Sequence, residues 1–425
     1  MRRTGKVPTV VGSARRRVIA VLAGLVLVAG AGLVVYRVFA PGEVFAEPSS
    51  GYPAAPTPRP AAVLGTLPAA PLIVDGRLRV VADKRQVRAD GPVDSRYLNT
   101  PYWSFRRWPA ELVGVVAAGT TVVTRWSDGE LVGLDARTGR ATWRAKGEKP
   151  TSPGYAGRRT GAQTVYEPPG LFLAGNTVVV AGATATQAYD ATTGAAGWHD
   201  PAPCGGPDPA GFTTADNRVA VLRACDTAIT LLDAGSGAAA GSIARSAGDL
   251  AAEPLDCAAP RSGCAGLRLD QGGHRTAWLF DGQQPRQVGE AAEGSTGPGL
   301  AAADAWLVDG LTVRVDGTAV VAANAGDGAA RWRHDLAGPD AQVIAVQPGT
   351  IHVLTADRDL ITLDAATGAE RSRIRYTYFA ERTNWVPGYT YAVRGFVLTE
   401  RLAEPAAEDD ADYYFDAQPV LLARS

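Results

Sequence analysis

The chain has 425 residues, 46% of them hydrophobic and 20% charged, with a formal net charge of −1. That length can bury a sizeable core, and the balanced charge excludes the basic footprint of a nucleic-acid binder. The 49 glycines and 29 prolines are too many for a helical protein and suit short strands joined by turns.

Residues 1–17 carry Arg2, Arg3, Lys6, Arg15, Arg16 and Arg17 with no acid, and Val18 to Tyr36 is an uncharged apolar run. As a helix this run spans about 28 Å at about 1.5 Å per residue, close to the hydrocarbon thickness of a bilayer. The spacing predicts a cytoplasmic basic segment over 1–17 and a transmembrane signal anchor over 18–39. The positive flank then leaves the rest of the chain outside the cytoplasmic membrane. A cleaved signal peptide, with Val44-Phe45-Ala46 as the cut site, is the alternative, although its apolar region is usually shorter, about 7–15 residues. Residues 40–71 are rich in proline and alanine and read as an extended linker. Residues 72–425 read as the folded domain.

Within that domain one turn recurs. It is DARTG at Asp135–Gly139, DATTG at Asp190–Gly194, DAGSG at Asp233–Gly237, NAGDG at Asn324–Gly328 and DAATG at Asp364–Gly368. Degenerate copies stand around Asp281 and Asp416. The aspartate can accept backbone N–H groups, and the glycine supplies the positive φ of a tight hairpin. The copies lie 40 to 55 residues apart, each preceded by an apolar strand such as TVVT at 121–124 or TVVVA at 177–181. Such a period with four strands per unit marks a β-propeller. Seven turns predict seven blades, with eight as the alternative. Leu72–Val81 and Tyr102–Trp108 remain upstream; either one closes the ring against Pro419–Ala423, or they belong to an eighth blade.

The pattern L-x-x-L-D-A-x-T-G-x-x-x-W resembles the repeat of pyrroloquinoline-quinone-type (PQQ-like) propellers. Leu131, Leu134, Asp135, Ala136, Thr138, Gly139 and Trp143 carry it in the first copy, and Asp190, Ala191, Thr193, Gly194 and Trp198 in the second. Asp364, Ala365, Thr367 and Gly368 match without a following tryptophan, whereas Trp332 follows a turn opened by Asn324. The resemblance covers residues 100–425. It implies an all-β propeller, and this repeat occurs both in quinoprotein dehydrogenases and in non-catalytic scaffolds.

Trp143, Trp198 and Trp332 recur at equivalent positions, which makes them blade-docking residues rather than a stack around one cofactor. Cys204, Cys225, Cys257 and Cys264 sit in an extracytoplasmic setting and favour disulfides; four cysteines allow three connectivities, of which sequence proximity suggests Cys204–Cys225 with Cys257–Cys264. His199, His274, His334 and His352 show no metal-ligand spacing. The G-x-G-x-x-A of residues 235–240 falls in a repeat turn with no helix to present to a phosphate. Glu408, Asp409, Asp410 and Asp412 read as a solvated acidic loop rather than a calcium site.

No catalytic, cofactor or metal constellation emerges. The expected function is therefore a non-catalytic, extracytoplasmic scaffold or sensor that binds a protein of the envelope, with no cofactor. Arg158 and Arg159 in the 146–169 insertion and Trp385 in the aromatic stretch 375–391 are the candidate partner contacts; the alternative is that these aromatics fill the core of the last blade. The resemblance also implies two alternatives: a PQQ- and calcium-dependent dehydrogenase, and, from the aromatic stretch, a cell-wall polysaccharide binder.

Overall fold

The computed structural model describes residues 11–39, 42–48, 50–95, 101–152, 158–245, 250–405 and 414–425. Its sheets are eight antiparallel blades. The innermost strands of neighbouring blades approach one another around a central axis. Blade 2 shows the pattern, with Leu112–Ala118, Thr121–Trp126, Glu130–Asp135 and Ala141–Lys146 running from axis to rim. Its inner three strands are almost wholly buried, whereas the rim strand alternates between Trp143 and solvent-facing residues. Apolar side chains on the blade faces thus pack against the next blade, which is how a ring buries a core without closing a barrel.

The blade count corrects the expectation of seven. The repeat turn joins the third and fourth strands of a blade, and it does so in blades 2 to 7. Blade 1 (Leu72–Val74, Leu78–Asp83, Gln86–Asp90, Trp103–Trp108) has no such turn, so Leu72–Val81 and Tyr102–Trp108 both belong to it. Blade 8 (Val386–Val393, Phe396–Leu402, Val420–Arg424) takes its rim strand, Ala62–Leu67, from the other end of the chain. Asp416 therefore opens no repeat turn; it precedes the third strand of blade 8 and bonds Arg401.

Ring closure also differs from expectation. Ala62–Leu67 pairs with Val420–Arg424, from Ala62 opposite Arg424 to Leu67 opposite Val420. A second strand, Gly42–Ala46, adds to the rim of blade 1 opposite Ser104–Trp108. The segment read as a linker thus contributes two strands. The prolines at 53, 56, 58 and 60 fall between them, in the stretch without regular structure, and neither strand contains one. Glu43 holds the added strand by bonding Arg107 and Arg144 of blades 1 and 2.

Two helices accompany the ring. The first, α1, is Val11–Phe39. Among the described residues no helix is long and apolar enough to cross a membrane, so the transmembrane expectation for 18–39 is not supported. The second, α2, is Arg158–Tyr166, between blades 2 and 3, where the sequence offers little helix signal.

Candidate functional site: the central channel

The blade seams are built from the repeat residues. In each turn the aspartate or asparagine gathers N–H groups: Asp135 accepts from Arg137, Asp190 from Thr192 and Thr193, Asp233 from Ser236, and Asp364 from Thr367. Donors lower the carboxyl pKa of three of them: Thr193 for Asp190, Ser236 for Asp233 and, chiefly, Arg371 for Asp364, which falls to about 2. The closing glycines have φ between 71° and 74°, which leaves each turn's glycine bare for a neighbour. Trp143 Nε1 donates to Ala191 O (2.9 Å), Trp198 Nε1 to Ala234 O (2.7 Å) and Trp332 Nε1 to Ala365 O (2.8 Å), each in the turn of the following blade. Trp103 makes the same bond to Ala136 O (2.7 Å), although its blade lacks the turn signature. Each indole lies on its turn's glycine; a Cβ added at Gly139, Gly194, Gly237 or Gly368 would stand 2.5–2.6 Å from ring atoms.

Where the tryptophan is missing, arginines bridge the seam. Arg218 of blade 4 donates to the carbonyls of Gly282 and Gln283 in blade 5, and Arg268 of blade 5 to those of Ala302 and Ala305 at the entry to blade 6.

The axis is partly filled by two insertions. Leu72–Val74, the innermost strand of blade 1, has three residues, and α2 packs into the space this leaves. Ala162, Val165 and Tyr166 are buried there among Leu72, Val115 and Tyr391. The Tyr166 ring meets those of Tyr389 and Tyr391 at 5.7 and 5.5 Å. Burial drives the Tyr166 phenol well above its usual pKa, so it stays protonated. From the opposite side of the axis comes the long hairpin Leu250–Ala259 and Ser262–Gln271 of blade 5. Its disulfide, Cys257–Cys264, closes the arm, and its tip reaches blades 3 and 4 through Arg261–Glu167 (2.6 Å) and Arg261 O–Thr213 N (3.0 Å). The tip divides the channel into cavities of about 450 and 220 Å³. Burial pushes the Asp256 carboxyl, beside the smaller cavity, up to about 6, although it accepts the Asp309 N–H.

A buried ion pair fixes the far end of the larger cavity. The side chains of Arg125 and Asp208 are both inaccessible and 3.4 Å apart. Asp208 also accepts the N–H groups of Thr151 and Ser152, and Arg125 donates to the carbonyls of Pro169 and Glu148. Blades 2, 3 and 4 are thereby joined through Glu148, Thr151, Ser152 and Pro169. The second disulfide, Cys204–Cys225, ties the rim of blade 3 to blade 4, so both expected pairings are present.

Trp385 is not a surface residue, so it is no partner contact, and the alternative that the aromatics fill the last blade holds for it. It is fully buried beneath the Arg358 guanidinium (4.4 Å), next to Tyr376, whose hydroxyl bonds Thr399. Of the aromatics of 375–391, Tyr376, Trp385 and Tyr391 are buried. Phe379 by contrast is 82% exposed, with Tyr378 edge-on at 4.4 Å. The side chains of Arg158 and Arg159, and residues Glu408, Asp409, Asp410 and Asp412, lie outside the described residues.

Residues 13–240 and 267–378 match the PQQ-repeat family profile described as outer membrane protein assembly factor BamB. The chain belongs to this family. Similar solved structures include BamB from Moraxella catarrhalis, at 16% identity over 86% of this chain and 98% of that chain, TM-score 0.44. Quinohemoprotein alcohol dehydrogenase from Comamonas testosteroni is 14% identical over 89% of this chain and 76% of that chain, TM-score 0.42. The computationally designed Ika8 protein reaches TM-score 0.47 at 14% identity, over 85% of this chain and 99% of that chain. A comparison with curated proteins finds no match.

In a PQQ-repeat family the group to test is the quinone with its calcium ion, and the channel does not fit it. Of the carboxylates lining the channel, Asp75 is engaged by Arg77 and Tyr52, Glu167 by Arg261, Asp208 by Arg125 and Glu253 by Arg268, and Asp256 accepts the Asp309 N–H. Among the described residues no three His, Cys, Asp or Glu side chains converge as metal ligands, and α2 and the hairpin occupy the axis where a planar group would lie.

Proposed function

We propose that this protein is a non-catalytic scaffold of the cell envelope that docks a protein partner on its propeller. What carries the reading is membership of the BamB family together with a channel whose axis is partly filled by α2 and the blade 5 hairpin. The enzyme alternative would need that space and a set of free carboxylates. The contact we assign is Phe379 with Tyr378, in the connection between blades 7 and 8. Apart from α1, the large hydrophobic side chains that stand exposed among the described residues are Val44 and Phe379. A rigid exposed aromatic is the kind of side chain that anchors an interface. Arg158 and Arg159 remain candidates beside it.

We further propose that α1 attaches the chain to the membrane. Leu25, Val26 and Leu27 are 60–73% exposed on it, apolar surface that water disfavours and lipid accepts.

The test is chemical cross-linking of the full chain in native envelope membranes, followed by reconstitution with the purified partner. The expected result is an envelope protein whose binding falls at least tenfold with Phe379→Ala, while the melting temperature stays unchanged. PQQ- and calcium-dependent dye reduction by the purified protein, or no partner under efficient cross-linking, would overturn the scaffold reading. Recovery of the full chain, α1 included, in the soluble fraction of cells broken at neutral pH would overturn the attachment.

A further inference from the structure

We propose that the open cleft at the seam of blades 7 and 8 is a binding site for an indole ring, carried by a small molecule or by a tryptophan side chain of a partner. The inference rests on the geometry of the seams and stands apart from the scaffold reading.

The seam tryptophans occupy one fixed position in their blades. A bulge offsets the rim strand against the third strand, and the first paired residue beyond it is Trp143 opposite Gly133 in blade 2 and Trp332 opposite Ala322 in blade 6. In blades 4, 5 and 7 that position holds Gly241, Gly289 and Ser372. The first two are covered from within the chain: a Cβ added at Gly241 would stand 3.1 Å from Pro285, and one at Gly289 3.7 Å from Ala301. Ser372 instead borders a cleft of about 470 Å³, within the roughly 300–1,000 Å³ of small-molecule sites.

The opposite wall of the cleft keeps the geometry that receives an indole elsewhere. Ser425 N–H donates to Gly395 O at 2.9 Å, as Ala365 N–H donates to Gly349 O at 3.1 Å. Ser425 therefore holds the place of Ala365, whose backbone oxygen accepts the Trp332 indole N–H. Asp364 N–H bonds Ala369 O, next to Gly368, and Arg424 pairs with Ala62, next to Ala61. Ala61, on the cleft wall, thus holds the place of the glycine on which the Trp332 ring lies.

Hydrogen bonding around the cleft selects the ligand. Thr350 Oγ1 accepts from Arg371 at 3.1 Å, Gln347 Oε1 accepts the Gly395 N–H at 3.0 Å, and Gln347 Nε2 and Thr362 Oγ1 both bond the His352 ring. Ser372 Oγ is buried with no hydrogen-bond partner among the described residues. It and the Ser425 backbone oxygen are acceptors for an N–H donor on the ligand. Arg371 and Arg394 stand exposed at the edges, and guanidiniums stack on aromatic faces. An indole supplies both the ring and the donor.

The test is a ligand-observed NMR titration of the full chain with indole, N-acetyltryptophanamide and benzofuran, which keeps the shape of indole with oxygen in place of the N–H. The expected result is saturable one-to-one binding of indole, about fivefold tighter than benzofuran. N-acetyltryptophanamide binding as tightly as indole assigns the cleft to a partner's side chain; its exclusion assigns the cleft to a small molecule. Ser372→Trp should place the chain's own ring in the cleft and abolish indole binding. Ala61→Leu fills the cleft from the opposite wall, should weaken indole about tenfold, and decides the matter if Ser372→Trp fails to fold. Unchanged melting of Ala61→Leu confirms a folded variant. Non-saturable uptake, equal binding of indole and benzofuran, or indole binding indifferent to these substitutions would overturn the proposal. Absence of an envelope partner would leave all of these outcomes unchanged.

Discussion

The contact between indole and glycine at a blade seam makes a sharp quantitative prediction. Gly194 has φ +71°, and an added Cβ would stand 2.5 Å from Trp143 Cε3. Gly194→Ala therefore incurs the left-handed backbone cost, about 1–2 kcal/mol, plus about 1–3 kcal/mol of overpacking. Trp143→Ala removes a ring that is 8% exposed and its bond to Ala191, costing about 3–5 kcal/mol. In the double variant the alanine meets no ring, so the overpacking vanishes and the sum falls short by about 1–3 kcal/mol. Gly328 is the control. It closes the blade 6 turn with φ +72°, yet a Cβ added there would meet nothing within 4 Å, because blade 5 has no equivalent tryptophan. Gly328→Ala should cost the backbone amount alone. The assay is urea unfolding with disulfides intact, read from midpoints at constant slope. If Gly194→Ala costs no more than Gly328→Ala, or adds fully to Trp143→Ala, the seam does not work this way.

Three further outcomes follow from buried groups. Burial lowers the His352 pKa from 6.5 to about 4, and Gln347 Nε2 bonds its ring at 2.9 Å. The folded protein prefers the neutral ring, so stability is complete above pH 6.5 and declines as pH falls towards 4, by about 3 kcal/mol; denaturant curves at pH 7 and 4.5 should show the decline, and His352→Asn should remove that component. Arg125→Met leaves Asp208 buried without its cation and should cost about 3–5 kcal/mol, visible as a lowered melting temperature. Replacing Cys204 and Cys225 together by alanine frees a loop of sequence separation 21 and should cost about 3 kcal/mol in urea unfolding.

Much of the propeller was legible because its seams are local. Asp190, Gly194 and Trp198 lie within one hairpin, and the donors, the positive φ and the indole each follow from residue type at short spacing. The same locality misled the count. A turn signature marks only blades whose third and fourth strands are consecutive, and blade 1 lacks the signature while blade 8 borrows its rim strand from residues 62–67. No short pattern announces that Ala62–Leu67 will pair with a strand more than 350 residues away. Trp385 illustrates the second difficulty: an aromatic in a turn-rich stretch reads both as a loop contact and as core, and only the closing of blade 8 over it, under Arg358, decides for core.

The sequence by itself determined the repeat and the seam chemistry and suggested the cysteine pairs, since all of these depend on neighbours a few residues to a few tens of residues apart. The tertiary structure alone decided that there are eight blades and that α2 and the blade 5 hairpin meet across the axis. Those facts depend on which distant strands share a sheet and on how far each inner strand reaches, and chain proximity carries no record of either.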